Sequence, residues 1–144
     1  MPTPADYKGL VLSTVRNPYD WLVSYYLHSP RGLVGINGPS DWVAAMKADS
    51  RSIEHFISRC INKPGCVGAV FDSYQANTII RLEDYPWAVM DFLEPSVSRD
   101  MRMFSIAKTP VLNARIGQPY PPNPELRAMV MRSENDFCQR YNYV

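Results

Sequence analysis

Two hydrophobic periods share this chain. From Gly9 to Val15 the run Gly-Leu-Val-Leu-Ser-Thr-Val is nearly continuous in apolar and β-branched residues, the pattern of a strand covered on both faces of a parallel sheet. Thr78-Ile79-Ile80-Arg81-Leu82 repeats that character and predicts a second strand. Between them the period changes to helical. Residues 18–28 read as a helix, with Asn17 as its cap, Pro18 in its first turn, and Leu22, Tyr25 and Tyr26 on one face. Pro30, Gly32, Gly35, Gly38 and Pro39 mark a loop, after which Ser40 or Asp41 starts a short helix to about Ala48. Ser52–Ile61 is a further helix, with Ile53, Phe56, Ile57 and Cys60 at helical spacing, and Asn62-Lys63-Pro64-Gly65 ends it. Residues 66–76 read as irregular or partly extended.

Glu83 and Asp84 close the second strand. Tyr85-Pro86 then opens a helix to about Leu93, with Asp84 as its candidate cap. Residues 95–122 read mostly as loop, with a short helix around Val97–Phe104. Asn123 and Pro124 start a last helix, whose face carries Leu126, Met129, Val130, Ser133 and Phe137. Strand, helices, strand, helix is the order of an α/β layer fold, here helix-rich, with a small parallel sheet packed by helices.

At 144 residues the chain fits a single domain, and 46% hydrophobic residues suffice for a core. A formal net charge of +1 gives no general attraction to nucleic acid, so any anion site is local. Cys60, Cys66 and Cys138 match no zinc spacing and, being odd in number, no disulfide framework; the reading is free thiols in a reducing cytoplasm, with no metal. No apolar run reaches membrane-spanning length, and the first residues do not read as a leader.

The candidate chemistry centres on Val15-Arg16-Asn17-Pro18-Tyr19-Asp20-Trp21-Leu22-Val23-Ser24. Arg16 stands at a strand's carboxyl end and offers a planar cationic fork suited to phosphate oxygens. Ser24, seven positions past Asn17, returns to nearly the same side of the helix and can donate to the same anion. The other assignment pairs Arg16 with Asp20 or Glu83 and leaves Ser24 to packing.

This segment resembles the 3'-phosphate-binding motif of PAPS-dependent sulfotransferases, roughly R-N-P-x-[DE]-R-x-x-S-x-Y. Three more pieces resemble that family in the same order. Ile79–Tyr85 looks like its later strand with an Glu-Asp pair, Pro86–Leu93 like the following helix, and Leu112-Asn113, Pro124–Arg127, Asp136-Phe137 and Tyr141–Tyr143 like its C-terminal tail, which ends in a Tyr-Gly-Tyr-like turn. The resemblance, closest to carbohydrate or Golgi-like members, implies a partial P-loop-NTPase-like sulfotransferase fold. It also implies that Arg16 and Ser24 grip the 3'-phosphate of PAPS or its product PAP, with Arg115 either a third contact or a solvated loop cation. The implied activity is sulfuryl transfer from PAPS to a hydroxyl or amine of a carbohydrate or small-molecule acceptor. The alternative is a non-catalytic PAP-binding or protein-interaction module.

Two positions depart from the motif. Trp21 stands where the family often has Arg, and Arg115 where it often has a hydroxyl. The family's 5'-phosphosulfate loop, roughly K-[ST]-G-[ST]-[ST], precedes a helix N-terminus, yet only eight residues precede Gly9. The expectation is a domain truncated on its N-terminal side, paired as a homodimer or with a partner chain. Lys63-Pro64-Gly65 offers K-x-G without the hydroxyls. His28 and His55 can accept a proton chemically but read first as helix residues, and Trp21, Tyr25, Tyr26, Trp42, Tyr85 and Trp87 line either a pocket or the core. No catalytic residue is assigned.

Overall fold

A computed structural model describes residues 12–28, 39–84 and 120–144. The element order is β1 (Leu12–Val15), α1 (Pro18–His28), α2 (Pro39–Ala48), α3 (Ile53–Ile61), α4 (Cys66–Asp72), β2 (Thr78–Arg81), a 3-10 turn (Leu82–Asp84), α5 (Pro124–Ser133) and α6 (Asn135–Arg140). This is a helix-rich α/β arrangement. The readings of residues 9–11, the loop at 29–38, the helix from Tyr85-Pro86, the short helix at 97–104, Asn113 and Arg115 lie outside the described residues.

β1 and β2 pair in parallel, with Leu12 opposite Thr78 and Val15 opposite Arg81. The parallel register puts both carboxyl ends, and hence Arg16 and Leu82, at one edge of the sheet. The expected burial on both faces is only partly realised over these residues. Val15 and Ile80 are buried, but Leu12 and Ile79 stay 37% and 39% exposed. The main core lies among the helices instead: α1 packs on α3, α4 and α5, and α2 on α3 and α4.

Local chemistry explains the helix starts. Asn17 Oδ1 accepts from the N–H groups of Tyr19 (3.0 Å) and Asp20 (3.3 Å), and Pro18 supplies the first turn with no donor left over. Ser52 accepts from His55 N–H at 3.2 Å, and Asn123 from Leu126 N–H at 3.0 Å. The apolar stripe of α3 is fully used: Ile53, Phe56, Ile57 and Cys60 are all buried.

Two expectations are corrected. Residues 66–72 are not irregular but helical, with Cys66, Val67, Gly68, Val70 and Phe71 buried. The last helix is not continuous either: it breaks at Glu134 (φ −108°, ψ 31°) into α5 and α6. Both have one cause. Glu134 is 2% exposed, and its carboxylate accepts from Val67 N–H (2.9 Å) and Gly68 N–H (3.1 Å) at the start of α4. The break delivers a side-chain cap to a short helix that has no cap of its own.

Aromatic rings join these layers. Trp21 meets Phe71 (5.7 Å between centroids), Phe71 stacks on Phe137 (5.4 Å), and Phe137 stacks on Tyr143 (6.0 Å), a path from α1 through α4 and α6 to the C-terminal residues. Among the described residues no helix is long and apolar enough to cross a membrane.

Candidate functional site

The carboxyl edge of a parallel sheet is where open α/β folds place ligands. Here that edge carries Arg16 directly after β1 and Glu83 just after β2. Neither carboxylate weighed as a partner for Arg16 pairs with it. Asp20 receives Arg127 at 3.1 Å. Glu83 Oε1 accepts from the backbone N–H of Asn17 at 2.7 Å, and its Oε2 accepts from the Tyr143 hydroxyl at 2.8 Å. Among the described residues Arg16, half-buried, has no carboxylate partner.

The first-turn N–H groups of α1 are not available to an outside anion. Glu83 takes that of Asn17, and Asn17 takes those of Tyr19 and Asp20. A phosphate at this edge would have to rest on side chains. Ser24 lies on the side of α1 away from the packed face formed by Tyr19, Leu22 and Val23, and it is half-buried. Its rise above Asn17 is about 10 Å along the axis. Ser24 returns to nearly the helical position of Asn17, the residue that follows Arg16. Arg115 lies outside the described residues.

Trp21, at the departure from the family pattern, stacks on Tyr25 (5.1 Å) and meets Phe71 edge-on. It is a core anchor there. Tyr25 and Tyr26 pack on Phe56, and Lys47 lies over both rings at 5.7 and 5.8 Å. Burial, then the charge of Asp41, raises the Tyr25 hydroxyl. Trp42 is covered by the Lys63 ammonium at 4.4 Å. Neither histidine stands at the sheet edge: His28 ends α1, and His55, in the first turn of α3, accepts from Arg51 N–H at 3.1 Å.

The Lys63-Pro64-Gly65 turn is accounted for structurally. Gly65 holds the left-handed φ of 78° that starts α4, and the N–H groups beyond it are filled by the Glu134 carboxylate. Burial raises the Glu134 carboxyl above the usual carboxylate range, outweighing the two amide bonds that pull it down. Cys66 is raised first by its contact with Cys60, then by burial; all three thiols are free and buried. No group of three or more metal-ligating side chains occurs among the described residues.

A cleft of about 230 Å³ opens beside α1, between Tyr19, Val23, Tyr120 and Pro122, with the Asp20–Arg127 pair at its rim. Tyr120 is fixed by donating its hydroxyl to Glu54 at 2.8 Å, and burial followed by that bond pushes it up to about 12. The volume falls below the ~300–1,000 Å³ of pockets for larger organic ligands.

Two residues of this architecture escaped the sequence reading. Glu134 had a legible signal: it lies on the apolar stripe of Leu126, Val130 and Phe137, where a carboxylate demands buried donors. Tyr143 was legible only as part of the C-terminal tail, because its bond to Glu83 spans 60 positions.

The chain matches no known family model, no curated protein and no solved structure.

Proposed function

We propose that this chain is a sulfotransferase-like protein that binds PAPS or PAP, with Arg16 and Ser24 on the 3'-phosphate. The observation that carries the reading is an arginine at the carboxyl end of a parallel strand, while Asp20 and Glu83 are both engaged elsewhere. A guanidinium in that position suits a phosphate dianion, and the Ser24 hydroxyl, seven positions past Asn17 on α1, adds a donor. Arg115 is included as a third contact, and the acceptor is a carbohydrate or small molecule with a hydroxyl or amine.

A non-catalytic PAP-binding module is the second reading, and one observation favours it. The starts of α1, α3, α4 and α5 are each capped by a side chain of this chain, so none of them presents the open amide cradle that a 5'-phosphosulfate needs. The proposal also includes a cytoplasmic setting and self-association into a homodimer.

Titration calorimetry with PAP, set against adenosine 5'-phosphate, tests the binding claim. PAP is expected to bind more tightly, and Arg16→Ala to weaken it by roughly 10- to 150-fold, the loss of a charged hydrogen bond of about 1.5–3 kcal/mol. Equal affinity for the two nucleotides, or an unaffected Arg16→Ala, defeats it. Transfer of labelled sulfuryl from PAPS to a panel of hydroxyl acceptors separates the enzyme from the module.

A further inference from the structure

We propose that Tyr143 and the Asn17 amide form a latch that holds the Glu83 carboxylate away from Arg16 and so keeps this guanidinium available to an anion. The inference rests on the nucleotide reading above and extends it to two positioning residues, one at each end of the sheet-edge network.

The argument starts from proximity. The N–H that Glu83 Oε1 accepts, at 2.7 Å, belongs to the peptide joining Arg16 to Asn17. Glu83 therefore sits against the peptide that follows Arg16. A carboxylate on a neighbouring peptide is a natural competitor for a guanidinium, which it can hold through two parallel bonds. Here each carboxylate oxygen has another donor: the Asn17 amide on Oε1 and the Tyr143 hydroxyl on Oε2 at 2.8 Å.

Tyr143 is brought to this place by built structure. After α6 the chain turns at Asn142, whose φ of 56° is left-handed. Tyr143 N–H returns to Cys138 O at 2.8 Å and Asn142 N–H to Gln139 O at 3.4 Å, the paired bonds of a Schellman turn. The Tyr143 ring stacks on Phe137 and is 8% exposed. The Arg81 guanidinium covers that ring at 4.7 Å and donates to Asn142 O at 3.1 Å. Arg81, the other cation at this edge, also faces Asp84 at 3.6 Å, so it is turned to the tail and not to Glu83. The C-terminal turn thus acts on Arg16 through one hydroxyl and one carboxylate.

The test uses the full chain and PAP as probe, with phenylglyoxal labelling of Arg16, followed by peptide mass, as a readout independent of the nucleotide. Tyr143→Phe frees one oxygen of Glu83 to compete for Arg16. PAP affinity is expected to fall about tenfold, the scale of one charge-assisted hydrogen bond, and Arg16 labelling to slow. Glu83→Gln removes the competing charge while its amide oxygen still accepts from Asn17, so affinity is expected to equal or exceed the starting value. The double variant Glu83→Gln/Tyr143→Phe is expected to match Glu83→Gln. That rescue is the signature of a latch, because a tyrosine that merely supported the fold would leave the double variant at least as weak as Tyr143→Phe. Unchanged labelling in Tyr143→Phe, or no rescue in the double variant, overturns the inference. If PAP fails to bind the unaltered chain, the nucleotide reading falls, and the labelling series alone still decides the latch.

Discussion

Glu134 shows how much one side chain organises. It is a carboxylate inside an apolar stripe, and its two amide partners lie 66 and 67 positions earlier. Because burial raises its folded pKa, the native protein keeps a proton that the unfolded chain releases at lower pH. Stability from this group is therefore greatest below the unfolded carboxylate range and declines as pH rises through the raised folded value. Glu134→Gln is expected to flatten that decline, measured by urea unfolding at pH values from the carboxylate range upward. An unchanged slope would remove Glu134 as its source. Glu134→Ala is expected to be worse, since it leaves two buried amides without an acceptor, at about 1–3 kcal/mol each. Arg16 presents the opposite case, a cation with no carboxylate partner among the described residues. Trp21, read as a departure from the family pattern, exchanges any charged role for ring contacts with Tyr25 and Phe71.

Among the elements, α4 and the C-terminal turn depend most on their surroundings. α4 has seven residues and a β-branched, glycine-containing sequence, which is too little to be helical alone. Buried contacts and the Glu134 cap hold it. An added Cβ at Gly68 would lie 3.4 Å from Phe137 Cβ, an ordinary van der Waals contact. The C-terminal turn depends on the left-handed backbone of Asn142, a residue type that, after glycine, tolerates that region best. Asn142→Gly is expected to be tolerated within a few tenths of a kcal/mol. Asn142→Val is expected to cost about 1–3 kcal/mol, the range for a side chain strained in that region. Thermal unfolding of both variants checks this, and equal losses would mean that the turn is not limited by its φ.

At the scale of the molecule, the described residues join a substantial helical core to a two-stranded sheet. Phe56, Ile57, Val43, Val67 and Val130 are all essentially inaccessible, whereas β1 and β2 span four described residues each, and Leu12, Ile79 and, just past β2, Leu82 are more than a third exposed. Two short strands with open apolar positions favour further pairing or covering. The proposed homodimer is expected to appear in sedimentation velocity as a species of twice the 16.4 kDa chain mass, populated more as concentration rises. Charged substitutions at Leu12 and Ile79 should shift it towards monomer; a monomer across the whole range rejects it.

Much of the local architecture was legible because it is written in short-range chemistry. The caps Asn17 and Asn123 bond to residues two or three positions ahead, and the stripe of α3 needs only a period. The two strands were legible as runs, and the arginine at the end of one as a candidate anion ligand. What local pattern could not convey were arrangements whose partners are distant in the chain. The helicity of 66–72, the break at Glu134, the engagement of Asp20 by Arg127 across 107 positions and of Glu83 by Asn17 and Tyr143 all depend on such partners. A buried carboxylate takes its donors wherever the packed chain brings them, and sequence separation carries no information about that meeting.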